Sequence, residues 1–248
     1  VRRMTGVPFK TKWVKMPARQ GVQINLYSFD QIKEKYIHTV TRQGTQHTIA
    51  ISLSNVNCHQ INQEVRKRLY GNAHESLKPG DLLMVTQNNY LVPLTNGDFV
   101  EVLQVGHQES VKGIQFVHVT VKARLSNKAY ETLLCLDPLN SGQANLNAEQ
   151  QRLLMIDFSQ RMRSRRIRPK SELYFSAMQK DPWLNSLRAN YGYAVTCHKS
   201  QGGEWEEVYF FLNKGMYVMS PSELTRWWYT GITRAKEKLH LVQDWWIG

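Results

Sequence analysis

The chain has 248 residues, 42% hydrophobic and 21% charged, which is enough apolar material for one sizeable core or two modest ones. Its formal net charge of +12 favours polyanionic partners such as nucleic acid or an anionic surface. The longest apolar run, Val208 to Leu212, is too short to cross a bilayer, so we expect no membrane segment. Three widely spaced cysteines fit neither a disulfide framework nor a metal site, and they indicate a reducing, cytoplasmic environment.

The first part of the chain predicts alternating strands and helices. Residues 1–21 are basic and irregular and are interpreted as a linker, and residues 22–75 have the order β-α-β-α. Ser28 and Gln31 have the spacing of a capping box, and Asn57 is the predicted N-cap of the second helix. This alternation is typical of a mostly parallel sheet flanked by helices.

Residues 76–136 change in character and predict a small antiparallel β-barrel inserted into the α/β domain. Turn-forming residues occur at 78–81 and 95–98. Residues 116–125 alternate strictly, and the residues on the apolar face are Val117, Val119, Val121, Ala123 and Leu125. Phe116 and Tyr90 have two interpretations, as barrel core or as platforms on which bases stack.

Residues 137–190 predict a basic helical connection. Between Arg152 and Lys170 the sequence has seven Lys and Arg residues and one acid, Asp157. Such a run is either an ordinary solvated face or a surface that follows a phosphate backbone.

Residues 191–248 return to strands and helices. Ser220, Pro221 and Glu223 occupy the N-cap, N1 and N3 positions of a predicted helix between two of the strands. Two segments of this region could carry chemistry.

The first segment follows a short apolar strand at 193–197. Ligands of parallel sheets bind beyond the carboxyl ends of strands, and two glycines allow close approach of the backbone. The polar and glycine residues at this edge are Thr196, His198, Lys199, Ser200, Gln201, Gly202 and Gly203. The alternative is a polar loop with glycines for its turn.

The second segment contains Arg234, just after the predicted helix. A guanidinium there could stabilise a phosphate transition state. Alternatively, it is a solvated arginine favoured by the helix dipole.

Together the segments closely resemble the fifth and sixth motifs of superfamily 1 DNA helicases. The first is Thr-x-His-Lys-Ser-Gln-Gly-x-Glu at 196–204, and the second is Tyr-x-x-x-Thr-Arg-Ala-Lys-Glu-Lys-Leu at 229–239. The residue pattern of these motifs is similar to that of the RecD/Pif1/Dda-like branch, which has a UvrD-like C-terminal domain. The resemblance implies an α/β fold in which a RecA-like parallel sheet carries an inserted SH3-like barrel.

The resemblance also implies roles for single residues. Arg234 would be the catalytic arginine that reaches the γ-phosphate of ATP, and Glu204 would contact the ribose. The remaining nucleotide-binding residues would be Gly202, Gly203 and Gln201, with Gln201 as a coupler between the two sites. The residues that contact single-stranded DNA would be Thr196, His198, Lys199 and Ser200.

The sequence contains no Gly-Lys and no Asp-Glu dipeptide, so it has neither the P-loop nor the acidic box of the family. The resemblance assigns ATP and Mg²⁺ mainly to an N-terminal RecA-like domain of the same polypeptide. We therefore expect the chain to be the C-terminal half of an ATP-dependent helicase, moving 5′ to 3′ on single-stranded DNA and inactive by itself. The alternative is a non-enzymatic nucleic-acid-binding or assembly module on the same scaffold.

Overall fold

A computed structural model describes residues 22–212, 216 and 219–243; the predicted linker at 1–21 lies outside these residues. The strands are β1 Gln23–Tyr27, β2 Thr48–Ser52, β3 Leu82–Val85, β4 Phe99–Val111, β5 Ile114–Ala123, β6 Ala129–Cys135, β7 Ala189–Tyr191, β8 Ala194–Thr196, β9 Trp205–Phe210 and β10 Ala235–Val242. The α-helices are α1 Phe29–Gln43, α2 Asn55–Tyr70, α3 Leu136–Ser141, α4 Ala148–Ser164, α5 Glu172–Gln179 and α6 Pro221–Ile232, and Gly71–Glu75 is a 3-10 helix.

The chain divides into two compact units. The first unit contains the described residues of 1–74 and 193–248, and the second unit is residues 75–192. The second unit is therefore an insertion into the first, between the 3-10 helix and β8. Residues 137–190, expected as a connection, fall within the second unit.

The first unit has a parallel sheet with strand order β1-β10-β9-β2-β8 among the described residues. Val208 and Phe210 of β9 and Leu239 of β10 are buried, and Phe210 stacks on Trp227 of α6 with ring centroids 4.6 Å apart. Tyr209 of β9, whose side chain lies on the opposite face of the sheet from Phe210, packs against Tyr36 of α1. The sheet is thus covered by helices, as expected for the parallel α/β prediction.

Local end signals explain where the helices of the first unit begin. Ser28 and Gln31 form the predicted capping box of α1, and Ser220 and Glu223 form that of α6. The start of α2 was predicted wrongly, because Ser54 is its N-cap and Asn57 is the N3 residue whose N–H donates to Ser54 Oγ. Both residue types favour the N-cap position, and the sequence alone did not separate them.

The second unit has an antiparallel sheet with order β6-β5-β4-β3-β7 among the described residues. Leu187, just before β7, donates its N–H to Leu133 O, and its carbonyl accepts from Cys135 N–H on β6. Backbone hydrogen bonds therefore link the β6 edge of this sheet to the segment that enters β7.

Helix α4 closes the apolar face of this sheet. Phe116 is fully buried in a cluster with Ile114, Leu133 and Leu154, so the core interpretation of Phe116 is confirmed and the stacking interpretation is wrong. Tyr90, in contrast, is exposed. Leu125 was placed on the buried face but is 97% exposed, because β5 ends at Ala123 and the alternation does not continue into the turn.

No helix among the described residues is long and apolar enough to span a membrane. The described cysteines, Cys58, Cys135 and Cys197, are all buried free thiols.

The parallel sheet of the first unit contains a buried histidine, His240. His240 lies between Tyr209 and Tyr27, with ring centroids 4.1 and 5.7 Å away, and its Nε2 is 3.3 Å from Glu207 Oε2. Burial lowers the pKa of His240 and outweighs the opposing attraction of Glu207. The folded state therefore holds His240 neutral.

We predict that the free energy of unfolding falls as the pH drops below the ordinary histidine value, because the unfolded state then binds a proton that the folded state resists. Urea unfolding at pH 7 and at mildly acid pH measures the loss. His240→Phe keeps the ring stack and should reduce the loss; His59, whose pKa burial also lowers, remains in both proteins. An identical pH dependence in the two proteins would contradict this role.

Candidate functional site

The strand that leads into the first motif is held by side chains of two helices. β8 is an edge strand that pairs with β2 on one side. On α2, Asn62 Oδ1 accepts from Ala194 N–H at 2.7 Å, and Asn62 Nδ2 donates to Ala194 O at 3.3 Å. The Tyr36 hydroxyl of α1 donates to Tyr193 O. The bonds from Asn62 satisfy the Ala194 backbone groups, which the edge would otherwise leave unpaired, and the Tyr36 bond adds to the one that Tyr193 O accepts from Ala50 N–H. Together they fix the entrance to the site.

The connecting segment (residues 197–204) begins as a tight turn after β8. Ser200 N–H donates to Thr196 O and Gly203 N–H donates to Ser200 O. The Ser200 hydroxyl donates to Cys197 O at 2.7 Å, and Ser200 is fully buried. Ser200 therefore shapes the turn and has no surface to offer a strand, which corrects its predicted direct contact with DNA.

The register of the sheet places the two ends of the connecting segment at opposite edges. Thr196 is level with Ser52 at the carboxyl end of β2, where the Phe211 N–H also donates to Ile51 O. Trp205, at the other end of the segment, begins β9 and lies level with Ala235 at the amino end of β10. Along the strand direction, the level of Thr196 and the level of Trp205 are six residues apart, which corresponds to roughly 20 Å. The segment therefore runs from the carboxyl edge of the sheet to its amino edge.

At the amino edge, Arg234 is bonded to the end of the connecting segment. Its Nη1 donates to Gly203 O at 3.1 Å, its Nε donates to Thr230 O at 3.0 Å, and its Nη2 donates to Thr233 Oγ1 at 3.0 Å. The Trp205 N–H also donates to Arg234 O at 2.9 Å. The structure thus brings the two motifs together through one half-buried guanidinium.

The glycines of the segment have separate structural reasons. Gly202 has φ +84°, a left-handed conformation that favours glycine, and a Cβ there would meet no atom within 4 Å. A Cβ on Gly203 would come within 2.2 Å of the Trp205 ring. Gly202 therefore leaves open space for an approaching group, and Gly203 makes room for a buried tryptophan.

The remaining predicted residues differ in exposure. His198, Gln201 and Glu204 are exposed, and Glu204 Oε2 lies 3.5 Å from Lys236 Nζ. Lys199 is half-buried, and burial lowers its pKa against the opposing effect of the Cys58 thiol at the start of α2. His198 is thus the more accessible of the two for a strand.

A groove of about 500 Å³ runs between the connecting segment and the outer face of α6. Its walls come from Cys197, His198 and Gln201 on one side and from Met219, Glu223, Arg226, Trp227, Tyr229 and Thr230 on the other. Arg226 and Trp227 were missed by the sequence prediction. The available signal was the spacing of Glu223, Arg226 and Thr230, which share a helix face because neighbours three or four apart lie together.

The described residues contain no group of three or more His, Cys, Asp or Glu side chains arranged to hold a metal ion. The cations of the site are Arg234, Arg226 and Lys199, and such side chains suit phosphate groups.

With this geometry established, comparison with known proteins identifies the class of the segment. Residues 191–242 match the family model of the UvrD-like helicase C-terminal domain. This match confirms the resemblance to superfamily 1 helicases for the part of the chain that carries both motifs, and it supports a helicase-like role.

Individual relatives match this chain either over a short stretch or at low sequence identity. An uncharacterised protein of Methanocaldococcus jannaschii is 33% identical over 64 residues, 26% of this chain and 5% of that protein. Pif1 helicase from Bacteroides, in complex with ADP-AlF3 and single-stranded DNA, is 11% identical with a TM-score of 0.43 over 86% of this chain and 45% of that chain. Pif1 helicase from Candida albicans is 11% identical with a TM-score of 0.42 over 87% and 53% of the two chains. The chain thus spans about half of these helicases and one twentieth of the curated relative.

We predict that Asn62→Ala destabilises the first unit by ~3 kcal/mol, because it leaves the buried N–H and C=O of Ala194 without partners. Urea unfolding measures the change, with Lys67→Ala, an exposed position on the same helix, as the control. A loss for Asn62→Ala no larger than for the control would show that the amide does not hold β8.

Proposed function

We propose that the chain is the second RecA-like half of an ATP-dependent DNA helicase, a single-stranded DNA translocase that moves 5′ to 3′. The observation that carries the proposal is the bond between Arg234 and Gly203 O, which joins the sixth motif to the fifth at the amino edge of the sheet. The fifth motif continues from there to the opposite edge, where its strand-facing residues lie. One continuous segment therefore connects the proposed nucleotide site with the proposed site for single-stranded DNA.

The amino edge suits a nucleotide. Arg234 provides a planar fork of N–H donors, and Gly202 leaves space for a phosphate to approach the backbone. Glu204, exposed at the same end of the segment, supplies an acceptor for a ribose hydroxyl. These residues fit ATP as a ligand held mainly by a preceding domain, with Arg234 added in trans as an arginine finger.

The described residues of this chain contain no set of acidic side chains arranged to bind Mg²⁺. The proposal therefore places the metal in the N-terminal RecA-like domain, where the acidic box of the family lies. This chain would contribute positive charge from Arg234, which stabilises the charge that develops on the phosphate oxygens.

The carboxyl edge suits the sugar–phosphate backbone of a single strand. Thr196 and His198 are accessible there, and Arg226 of α6 faces His198 across the groove. Lys199 adds a nearby positive charge, and Ser200 keeps the turn in shape. Contacts of this type are independent of base sequence and weaken with salt.

The same bonds provide a coupling step. Nη1 and Nη2 of Arg234 each carry a second N–H group, so the guanidinium can reach a γ-phosphate without giving up its bond to Gly203 O. The Gly203 carbonyl would be released if domain closure draws the guanidinium away from its present position. Release of that carbonyl would loosen the end of the connecting segment and shift His198 at its other end. Gln201 lies between these two points and is the proposed coupler.

We assign the second unit to the SH3-like barrel insert of the branch. Its five antiparallel strands and the bonds from Leu187 to β6 support this, because those bonds link the two ends of the strand order. The insertion point between α2 and β8 also suits that assignment.

We expect His198→Ala to lower the affinity for a single-stranded oligonucleotide about tenfold, equivalent to about 1.4 kcal/mol, because one hydrogen bond to a charged phosphate is lost. Fluorescence anisotropy at fixed salt measures the affinity. His38→Ala, an exposed histidine of α1, is the control. Equal affinities for His198→Ala and the control would remove His198 from the strand site.

We expect Arg234→Ala to lower ATP turnover at least ~10³-fold in a polypeptide that joins this chain to a P-loop domain, with a smaller effect on ATP binding. Arg234→Lys keeps the charge but loses the fork and should stay strongly impaired. Arg68→Ala, an exposed arginine of α2, is the control. The pure chain alone should not hydrolyse ATP. Unchanged turnover in Arg234→Ala would remove Arg234 from the catalytic role. DNA-stimulated turnover by the chain alone would contradict the assignment of the ATP site mainly to a preceding domain.

A further inference from the structure

The second unit carries a concentrated positive charge that the proposed function does not use. The basic loop (residues 163–170) covers the last turn of α4 and the turn that follows it. Its cations are Arg163, Arg165, Arg166, Arg168 and Lys170, and the loop contains no acidic residue. All five of these side chains are exposed.

Arg161, the next cation towards the N-terminus, differs from the cations of the basic loop because it is held by ion pairs. Its Nε is 2.7 Å from Asp157 Oδ2, and its Nη1 is 2.5 Å from Asp181 Oδ2. Its guanidinium also lies over the Trp183 ring at 4.4 Å. The two carboxylates are thus already paired with Arg161. Within the described part of the chain, no carboxylate forms an ion pair with any cation of the basic loop.

The backbone of the loop holds two of its cations in a left-handed conformation. Helix α4 ends in a Schellman motif, in which Ile167 N–H donates to Met162 O and Arg166 has φ +57°. Lys170 also has a positive φ, +63°. Glycine is the favoured residue in this left-handed conformation, since a side chain there is strained. Arg166 and Lys170 therefore occupy positions at which glycine would relieve backbone strain, as do Lys112 and Asn127 elsewhere in the chain.

Exposed apolar side chains lie immediately beyond the loop. On α5, Leu173 is 71% exposed and Phe175 is 52% exposed. Phe175 meets the Tyr174 ring edge-on, with centroids 6.1 Å apart. Phe175 is thus an accessible aromatic ring five residues along the chain from the last cation of the loop. Aromatic rings and arginines together hold single strands, because bases stack on the ring and guanidinium groups bind phosphates.

We propose that the basic loop and Phe175 form a second binding surface for single-stranded nucleic acid, carried by the inserted unit. The arginines bind phosphate oxygens, and Phe175 stacks on a base. The choice of nucleic acid among polyanions rests on the proposed function. The surface itself shares no residue with the motifs of the first unit.

The test uses glycine as the replacement, since Arg166→Gly and Lys170→Gly remove charge and relieve backbone strain together. The 248-residue chain is titrated against a fluorescent oligothymidine of about 20 nucleotides, long enough to cover more than one contact, at several salt concentrations. The double variant should bind about tenfold more weakly at low salt. Its salt slope should be shallower by about 1.4, since each lost phosphate contact removes about 0.7 on a single strand. Its melting temperature should be unchanged or higher.

A matched control removes two cations elsewhere in the same unit. Lys122→Gln with Lys128→Gln changes the far end of β5, about 20 Å along the strand from Phe116, which packs with Leu154 of α4. This pair should leave the salt slope unchanged. Phe175→Ala should weaken binding and leave the slope unchanged, because stacking releases no counterions.

Equal salt slopes for the wild type and the glycine variant would overturn the proposal, as would an equal loss in the lysine control, which would indicate diffuse charge. A loss seen only with phosphatidylserine vesicles, or only with a poly-glutamate peptide, would also overturn it in favour of a membrane or an acidic protein. If His198→Ala weakens binding and the glycine variant does not, this surface is rejected and the proposed function stands. The reverse result supports this surface and rejects the strand contact at His198.

Discussion

The three hydrogen bonds of the Arg234 guanidinium are the constraint on which the rest of the site depends. They tie Thr230 and Thr233 at the end of α6 and the Gly203 carbonyl to one side chain. Because Gly203 lies near the end of the connecting segment, the position of Arg234 constrains how that segment arrives at the amino edge of the sheet. In the proposed function, a phosphate that draws the guanidinium away from Gly203 O would act on the connecting segment through this bond.

The opposite end of the connection is fixed by different means. β8 is short and lies at the edge of the parallel sheet, so its own ladder holds it weakly. Asn62 of α2 supplies the missing partners of the Ala194 backbone, and Tyr36 of α1 adds a second bond to Tyr193 O. The connecting segment is therefore anchored at the β8 end by side chains of two helices, and at the other end by the Arg234 guanidinium and the backbone bond from Trp205 to Arg234 O.

The sequence predicted what short-range signals determine. The capping boxes at Ser28 and Ser220 depend on residues three apart, and the two motifs depend on residue identity within short windows. The pairing of Asn62 with Ala194 joins residues far apart in the chain and leaves no local signal. Burial of Ser200 follows from the turn that its own hydroxyl closes, and the neutralisation of Arg161 depends on Asp181 across two helices. The sequence showed where the positive charge is concentrated. Only the structure showed that Arg161 forms ion pairs, whereas no ion pair is described for the cations of the basic loop.

The most direct test of the central claim is hydrogen–deuterium exchange at the Ser200, Gln201 and Gly203 amides, compared between the wild-type chain and Arg234→Lys. Lysine keeps the positive charge but lacks the planar fork that joins Gly203 to Thr230 and Thr233. The account predicts faster exchange across the connecting segment in the variant, with unchanged protection in β2 and β9. Unchanged exchange in the segment would contradict the claim that Arg234 controls its geometry.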